Sequence, residues 1–459
     1  MSARLIRIDW PDFGAPAVPP PLSLPEMEAR LAATRAAMAA RGLDALIVYG
    51  DREHFANLQW VTGFDPRFEE ALLILRQEDG LLAAGNECLP YTGISPLVRS
   101  GKIAVAHCPS FSLMSQPRKG ERLGDILDRA VPPGGKVGAA GWKYFGAGEM
   151  ENPESTLDLP SFIADPLRQR ADQVVNATDL FMHPGHGLRA RVDVAEIARL
   201  EFANHMAAST LRRMVFQFHE GISDFEAFAA AGVGGLPLGC HATFATGSRA
   251  AQGLSGPTGE RLVRGSPISF NICHWGANIC RAGWLAKGPG DLPAEARDYL
   301  DAFVYPYVEA LSHWCGLMQP GVEGGRIWQQ MMGLLPPARF GVELNPGHLI
   351  GMDEWVSSPI AEGSVEPLAS GMAMQCDVIP VHPVYGSTRM EDGYVIADEA
   401  LRAELGRRFP AVAHRCAGRA RFMRDVIGME VPDTLLPLAD TCGVLPPWLL
   451  DARQVVTLR

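Results

Sequence analysis

The segment from Asn345 to Ile396 places three polar side chains among apolar neighbours. His348 follows a glycine, Asp377 lies in the run MAMQCDVIPV, and Glu391 lies in RMEDG. Apolar runs of this kind indicate buried strands, in which a carboxylate is unfavourable unless it is paired, protonated or used. Three such side chains within about 45 residues favour a functional site over three separate core polar groups. We therefore take His348, Asp377 and Glu391 as candidate catalytic residues.

The length and the charge of the chain restrict the class of protein further. With 459 residues, the chain is long enough for two domains, each with its own core. A net charge of −11 without a basic run argues against nucleic acid and against an anionic membrane as partners. No apolar stretch reaches the length of a membrane-spanning helix, and the N-terminus lacks the apolar part of a signal peptide. Nine cysteines without dense spacing are typical of a reducing compartment, so we expect a cytoplasmic protein.

The pattern of apolar runs and turns predicts three parts of the chain. Residues 1–25 are rich in proline, and we expect an extended arm that lies on a partner subunit or is a flexible tail. Residues 26–185 begin with an amphipathic helix ended by Gly42 and continue with alternating strands and helices, which predicts an α/β domain with a mixed sheet. Residues 188–459 begin with a long amphipathic helix and contain the hairpin PISFNICHWGANICRAGWL, with WGAN at its tip.

Three motifs in the second half of the chain, in their order and spacing, resemble one protein family. They are G-H-x-x-G at 347–351, G-M-x-x-x-x-D-x-x-P at 371–380 and R-x-E-D at 389–392, and NLQWVTGF at 57–64 is similar to a further family element. The family is the creatinase/aminopeptidase P group, and the resemblance covers most of the chain. It implies an N-terminal creatinase-like α/β domain followed by a C-terminal pita-bread domain, which is a curved antiparallel sheet covered by helices.

The metal ligands of this family are only partly present. The resemblance implies that the metallopeptidases of the group hold two divalent ions with two Asp of the hairpin, one His and two Glu. In this sequence those positions are Asn271, Ala282, His348, Asp377 and Glu391. Because both hairpin carboxylates are replaced, we expect neither a dinuclear cluster nor any other cofactor. The alternative is a single divalent ion on His348, Asp377 and Glu391, since one His and two carboxylates can bind a metal.

The same Asn and Ala occur in creatinase, which works without metal. The resemblance therefore implies a metal-free reaction with which this chain can be compared. Creatinase cleaves a C–N bond with water activated by a His, but the position of that base is Leu254 here, and one guanidinium-binding Glu is Trp284. One carboxylate-binding Arg corresponds to Arg67, which the resemblance places in the neighbouring subunit's site, and the other to Pro359. Creatine is therefore not the expected substrate. We keep Trp284 and Arg67 as substrate-binding candidates for another small, nitrogen-rich compound that carries a carboxylate.

The chemistry of these side chains suits acid–base catalysis. His348 can shuttle a proton near neutral pH. The carboxyl groups of Asp377 and Glu391 raise each other's proton affinity, so that one of them can act as an acid. Asn271 can fix an amide or a carboxylate without titrating, and Arg67 can clamp a substrate carboxylate with two hydrogen bonds.

Two further candidates come from other loops. His241 precedes the loop that holds a lost family His, so it is either a replacement base or an ordinary histidine of the core or rim. Trp355 is a substrate-binding candidate because D-E-W at 353–355 is similar to dimethylsulfoniopropionate lyases of this fold, one residue out of register.

Cysteines in the hairpin offer another chemistry. Residues i and i+2 of a strand share a face, so Cys273 points to the same side as Asn271. If Asn271 lies opposite Ala282, then Cys273 lies opposite Cys280, with Cβ atoms about 5 Å apart. Two reduced buried cysteines, a cysteine nucleophile paired with a histidine, and a Cys–Cys–His zinc site all remain open. We keep Cys273 among the candidates for the site.

These observations lead to three hypotheses. The first is a metal-independent hydrolase of creatinase type that cleaves a C–N bond in a small polar substrate. The second is an enzyme of the same fold with one metal ion and Xaa-Pro peptidase-like or lyase chemistry. The third is a non-catalytic binding protein. In each case the resemblance implies a homodimer in which the N-terminal domain completes the neighbour's site.

Overall fold

Residues 3–459 are described by a computed structural model, and they form two compact units. One unit is the continuous segment 20–189, and the other combines residues 3–19 with residues 190–459. The second half of the chain was predicted to begin at residue 188, close to the observed division. Within residues 3–459, no helix is both long enough and apolar enough to cross a membrane.

The unit of residues 20–189 is built on a six-stranded mixed sheet with the order β5-β4-β3-β2-β6-β7. Its strands are β2 Ala45–Gly50, β3 Ala71–Leu75, β4 Gly80–Ala84, β5 Ala104–His107, β6 Lys136–Ala140 and β7 Gln173–Asn176. Its helices are α1 Leu24–Ala40, α2 Ala56–Thr62, α3 Cys88–Tyr91, α4 Pro96–Arg99, α5 Leu123–Ala130, α6 Ser161–Arg168 and α7 Asp179–Met182. The α/β domain predicted from the sequence is thus confirmed.

The apolar sequences of the central strands explain why helices pack against this sheet. Strands β2 and β3 are buried at every residue, as expected for strands with both faces packed. Apolar side chains of α5 and α6 pack with alternate residues of β2 in one core cluster. Helix α1 begins with a capping box between Ser23 and Glu26 and ends before Gly42, whose positive φ of 62° stops the helix.

The other unit contains two four-stranded antiparallel sheets, β15-β10-β9-β8 and β11-β12-β16-β17, and two strand pairs, β13-β14 and β1-β18. Its strands are β1 Arg4–Arg7, β8 Phe244–Thr246, β9 Pro267–His274, β10 Ala277–Trp284, β11 His348–Leu349, β12 Ala373–Gln375, β13 Val381–His382, β14 Gly386–Ser387, β15 Arg389–Glu391, β16 Gly393–Ile396, β17 Leu435–Pro437 and β18 Gln454–Thr457. Its helices are α8 Val194–Phe216, α9 Asp224–Ala231, α10 Tyr305–Leu317, α11 Gly324–Leu334, α12 Pro337–Phe340, α13 Glu399–Arg408 and α14 Pro410–Phe422.

Helices cover these antiparallel sheets. Helix α8 begins with a capping box between Asp193 and Glu196. Its apolar face packs with residues of α13, α14, β12 and β16 in a single core cluster. The sheets and their covering helices agree with the expected C-terminal domain.

The register of the hairpin β9–β10 differs from the expected one. Asn271 lies opposite Cys280, and Cys273 lies opposite Asn278, whereas Ala282 pairs with Ser269. The expectation that Cys273 faces Cys280 is therefore wrong. The turn contains only Trp275 and Gly276, so the tip is two residues rather than the four of WGAN. Gly276, with φ +83°, supplies the left-handed conformation that so short a turn requires.

The predicted N-terminal arm is also corrected by the structure. Strand β1 pairs antiparallel with β18, so residues 4–7 belong to the same unit as the C-terminal segment. Trp10 is buried and its indole nitrogen donates to the carbonyl of Ala452 at 2.7 Å. These contacts hold residues 4–10 on their own chain, so a flexible tail does not describe this part, and a contact of the arm with a partner subunit stays a prediction. The first two residues of the predicted arm, Met1 and Ser2, lie outside the described residues.

Candidate active site

Three of the predicted residues lie together in the unit of residues 3–19 and 190–459. One ligand-type atom from each of His348, Asp377 and Glu391 lies within 4.8 Å of the others, and all three side chains are buried. His348 begins β11, Asp377 follows β12, and Glu391 ends β15. The site is therefore assembled from both four-stranded sheets.

Local packing fixes these three positions. Gly347 has φ +111°, and a Cβ there would lie 2.9 Å from the carbonyl oxygen of Gln375 and 3.0 Å from the Trp314 ring, so a glycine must precede His348. Between the two carboxylates, the hydroxyl of Tyr307 donates to the carbonyl of Val378 at 3.1 Å and accepts the amide N–H of Met390 at 3.0 Å. One buried tyrosine of α10 thus holds the neighbours of both Asp377 and Glu391.

His348 is oriented by four contacts. Its Nδ1 donates to the carbonyl oxygen of Leu349 at 3.1 Å, since a carbonyl can only accept. Its Nε2 lies 3.2 Å from Oε1 of Glu354 and 4.0 Å from Oδ2 of Asp377. Its ring stacks on Trp355 with centroids 4.2 Å apart. The structure thus places Trp355 against the candidate proton shuttle.

Glu354 is a member of the site that the sequence prediction missed. Burial opposes the charged form of His348, but the hydrogen bond and the charge of Glu354 outweigh it and raise the pKa of His348. Burial likewise opposes ionisation of Glu354, yet the contact with His348 lowers the pKa of this carboxyl. The side chain of Glu354 is 23% exposed, whereas that of His348 is fully buried. The contact therefore favours the charged form of both side chains, His348 inside the protein and Glu354 at the margin of the site.

Two side-chain amides connect the carboxylates. Asn278 donates from Nδ2 to Oε1 of Glu391 at 3.0 Å and to Oε1 of Glu354 at 3.3 Å. Asn271 donates from its own Nδ2 to Oδ1 of Asn278 at 3.0 Å, and its Oδ1 accepts the amide N–H of Thr243 at 2.8 Å. These residues form one hydrogen-bonded line, so Asn271 acts on the site through Asn278. Asn278 was missed because the expected register put it at the hairpin tip.

Glu391 and Asp377 are carboxyl groups that favour the protonated form. Burial first, and then the charge of Asp377, raise the pKa of Glu391 well above its usual range. Burial also raises the pKa of Asp377, with the charge of His348 acting in the opposite direction. Gln375 donates from Nε2 to Oε1 of Glu391 at 3.1 Å. The site therefore combines a carboxyl group whose charged form is favoured, Glu354, with one whose protonated form is favoured, Glu391.

Four buried polar atoms of the site have no hydrogen-bond partner within residues 3–459. They are Nε2 of His348, Oε1 of Gln375, Oδ1 of Asp377 and Nε of Arg389. Buried polar atoms are nearly always hydrogen-bonded in folded proteins, so such a group indicates atoms that a ligand can satisfy. Among them, Oδ1 of Asp377 is an acceptor and Nε of Arg389 is a cationic donor, which matches a ligand with both N–H groups and an anionic group.

The donor set does not fit the two-metal site of the related peptidases. The position of one hairpin carboxylate is Asn271, whose amide is engaged with Thr243 and Asn278, and the other is Ala282, which offers no ligand atom. A single ion fits the remaining residues better, because His348, Asp377 and Glu391 converge within 4.8 Å. When bound there, a divalent ion would supply a polarising positive charge to a substrate oxygen or to a water molecule.

Other predicted residues lie elsewhere. Trp284 is buried, donates from its indole nitrogen to the carbonyl of Tyr385 at 3.1 Å and packs edge-on against Tyr299, so we assign it to the core instead of the substrate site. His241 is exposed, and its Nε2 lies 2.8 Å from the carbonyl oxygen of Leu254. That contact makes Nε2 the protonated nitrogen and leaves Nδ1 as the basic one, so the role of His241 as a replacement base stays a prediction.

The last two predicted residues, Cys273 and Arg67, lie in different units of the structure. Cys273 is buried, and the charges of Glu354 and Glu391 both reach its thiol, so it does lie beside the site. Arg67 belongs to the unit of residues 20–189, with its guanidinium carbon 5.1 Å from the Phe55 ring centroid. Its role in a neighbouring subunit's site stays a prediction.

Comparisons with known proteins agree with this architecture. Residues 30–139 match the creatinase/prolidase N-terminal domain family. No curated protein sequence matches the chain. Among solved structures, a prolidase from Pyrococcus horikoshii OT3 superposes with a TM-score of 0.61 at 15% identity, covering 80% of this chain and 95% of that one. An Xaa-Pro dipeptidase from Bacillus anthracis gives a TM-score of 0.61 at 13% identity, covering 81% of this chain and 96% of that one.

A different kind of protein has the same fold. The N-terminal domain of the FACT complex subunit SPT16 from chickpea superposes with a TM-score of 0.59 at 13% identity, covering 82% of this chain and 95% of that domain. Fold alone therefore does not decide the activity, which must be argued from the site. The comparisons and the topology together show that residues 30–139 match the creatinase/prolidase N-terminal domain family, and that the chain has the pita-bread fold of the creatinase/aminopeptidase P group.

Proposed function

We propose that this protein is a metal-independent hydrolase that cleaves a C–N bond in a small, polar, nitrogen-rich compound carrying a carboxylate. The observation that supports this most is the chain of contacts that begins with the ion pair of His348 and Glu354 and continues through the hydrogen bonds of Asn278 to Glu354 and Glu391. It joins a carboxyl whose pKa is lowered to one whose pKa is raised. Two carboxyl groups held in opposite protonation states are the arrangement required for acid–base hydrolysis.

The proposed reaction gives each group one proton-transfer role. Glu354, ionised and partly exposed, accepts a proton from the attacking water as its oxygen bonds to the substrate carbon. Glu391 donates its proton to the leaving nitrogen as the C–N bond breaks. After cleavage, His348, whose Nε2 lies 3.2 Å from Glu354 and 4.0 Å from Asp377, passes the proton taken up by Glu354 to Asp377. Asp377 passes a proton to Glu391, which restores the starting state. The sum of these steps adds one water across the C–N bond.

The substrate class follows from the unpartnered atoms. Oδ1 of Asp377 can accept an N–H of a guanidinium, amidine or amide group, and the buried Arg389 can donate to a carboxylate. We expect creatine itself to be a poor substrate, because the positions corresponding to its base and one guanidinium ligand are Leu254 and Trp284, an exposed residue and a core residue.

A screen of ligands tests this proposal directly. The purified protein is scanned by differential scanning fluorimetry against guanidino acids, cyclic amidines, betaines and Xaa-Pro dipeptides, and each stabilising compound is then assayed for turnover. A guanidino or amidine acid that both stabilises and is hydrolysed supports the proposal. Hydrolysis of Xaa-Pro dipeptides alone would contradict it, and a ligand that stabilises without turnover would favour the binding-protein hypothesis.

A second candidate function uses one metal ion. It is favoured by the convergence of His348, Asp377 and Glu391 within 4.8 Å, which suits one His and two carboxylate ligands. In that case the raised pKa values of both carboxyl groups would fall when the ion binds, because the cation stabilises their charged forms. The chemistry would be that of an Xaa-Pro peptidase or a lyase.

Metal content separates the two candidates. We expect the protein, purified without chelators, to carry well below one equivalent of manganese, iron, cobalt or zinc, because Asn271 and Ala282 remove two anionic ligands. Inductively coupled plasma mass spectrometry measures this. One equivalent that is lost in His348→Ala would establish the mononuclear site, and two equivalents per chain would refute the metal-free proposal.

Assembly is a further prediction. We propose a homodimer with two-fold symmetry in which Arg67 of one subunit reaches the site of the other, as the family resemblance implies. Sedimentation at micromolar concentration should give twice the chain mass of 49.6 kDa. A monomer that hydrolyses its substrate normally would remove Arg67 from the site.

A further inference from the structure

Two cysteines that are distant in sequence lie side by side next to the site. Cys240 precedes β8, and Cys273 lies near the end of β9. The segment between them turns back along β9, because Gly239 donates its amide N–H to the carbonyl of Cys273 at 3.3 Å and Leu238 pairs with His274. A Cβ placed on Gly239 would lie 2.9 Å from the Cys273 sulfur, so only glycine allows this approach.

The side chains of the two cysteines interact. The Cys240 sulfur accepts from Nδ2 of Asn271 at 3.6 Å, and its S–H donates to the carbonyl of His241 at 3.4 Å. The S–H of Cys273 faces the carbonyl of His274 at 4.0 Å. Of the nine cysteines, all within residues 3–459, eight are buried and only Cys240 is partly exposed.

We propose that Cys240 and Cys273 form an oxidation site, in which a peroxide oxidises Cys240 and Cys273 resolves the product into an intrachain disulfide. The pKa changes of the two thiols support these roles. The hydrogen bond from Cys273 is the main cause that lowers the pKa of Cys240, while that same contact and burial raise the pKa of Cys273 well above its usual range. A reactive, accessible thiol beside a resolving one is the arrangement of redox-sensing cysteines.

The chemistry balances with hydrogen peroxide as the oxidant. The Cys240 sulfur attacks one peroxide oxygen and the O–O bond breaks, which leaves a sulfenic acid and one water. The Cys273 sulfur then attacks the Cys240 sulfur, the S–O bond breaks, and hydroxide leaves with the Cys273 proton as a second water. Two thiols are oxidised by two electrons, one peroxide is reduced, and a thiol such as dithiothreitol reverses the product.

The consequence for the site is local. The disulfide would join residues 237–243 covalently to β9. It would also convert the Cys240 sulfur, which accepts a hydrogen bond from Asn271, into a disulfide sulfur. The amide of Asn271 also donates to Asn278. Oxidation therefore acts on the same hydrogen-bonded line that carries the carboxyl groups. The disulfide itself depends only on the two thiols and holds whether or not the proposed hydrolysis is correct.

The test uses the full-length reduced protein and hydrogen peroxide. After treatment, quenching with N-ethylmaleimide and denaturation, the count of free thiols should fall from nine to seven and return to nine with dithiothreitol. Tryptic mapping should show the peptide ending at Arg249 linked to the peptide between Arg264 and Arg281. Because the latter contains both Cys273 and Cys280, the link is assigned with variants.

Three variants make the result decisive. Cys280→Ser is the matched control and should keep the disulfide. Cys273→Ser should stop at a Cys240 sulfenic acid that dimedone traps, and Cys240→Ser should leave Cys273 unoxidised. Loss of the link in Cys280→Ser, a link between two chains, or nine free thiols after several equivalents of peroxide would overturn the proposal.

Discussion

Replacing His348 with alanine is expected to lower turnover by about 10²–10⁴-fold, the usual contribution of a general acid–base group. The imidazole is the only link between Glu354 and Asp377 in the proposed proton relay, with Nε2 at 3.2 and 4.0 Å from their oxygens. The fold should stay intact, because the carboxylate left behind, Glu354, is partly exposed. The measurement is kcat on the substrate found in the ligand screen, together with the thermal midpoint.

Matched variants separate chemistry from packing. His382→Ala removes another stacked histidine, whose ring lies 4.7 Å from that of Tyr385, and should leave turnover unchanged. Glu391→Gln and Glu354→Gln keep shape and remove the titrating group, so losses there report acid–base work. If Cys273→Ser is inactive while His348→Ala retains most of its activity, the acid–base mechanism is wrong and a cysteine-dependent one takes its place.

Replacing Asp392 with alanine is expected to destabilise the protein by about 3–5 kcal/mol, because it leaves a buried guanidinium without its counter-charge. Arg281 and Asp392 are both completely buried, and Nη2 of Arg281 donates to the two carboxylate oxygens at 2.8 and 3.1 Å. Arg281 also donates to the carbonyls of Val444 and Thr441, contacts that keep it fixed when the aspartate is removed. Urea unfolding followed by tryptophan fluorescence gives the free energy.

A surface pair serves as the reference for this measurement. Glu404 and Arg408 lie one helical turn apart on α13 at 3.0 Å, with side chains 41% and 44% exposed. Glu404→Ala should change stability by no more than about 0.5 kcal/mol, since exposed pairs contribute little. Equal effects of the two variants would mean that the buried pair does not hold β10 and β15 together.

The sequence allowed the three central residues to be predicted, because their motifs also dictate local structure. In G-H the glycine is needed at φ +111° just before His348, and Asp377 and Glu391 each lie at the end of a buried strand. R-x-E-D is different, since Arg389 and Glu391 belong to the site whereas its last residue, Asp392, belongs to the buried ion pair with Arg281. A motif residue can therefore be essential for stability without taking part in chemistry.

The missed residues depend on register and on loop path, which periodicity does not determine. A shift of two residues keeps every side chain on its expected face, so the hydrophobic pattern of β9 and β10 cannot distinguish the two registers. The two-residue turn brings Asn278 into the strand and opposite Cys273. Glu354 lies in a loop whose path is set by the Trp355–His348 stacking, a tertiary contact. The D-E-W segment was noticed for its tryptophan, whereas its glutamate pairs with His348.

The pairing of β1 with β18 has a consequence for how the protein is made. The unit of residues 20–189 is continuous, so it can fold as soon as it leaves the ribosome. The unit that contains the site needs residues 4–7 and residues 454–457 together, the first and last strands of the described residues. About 270 residues separate the end of the first unit from the end of the second. At typical elongation rates, their synthesis takes on the order of tens of seconds. Throughout that interval the apolar edge of an unfinished domain is exposed, and nascent chains stalled late in translation should be the ones that chaperones hold.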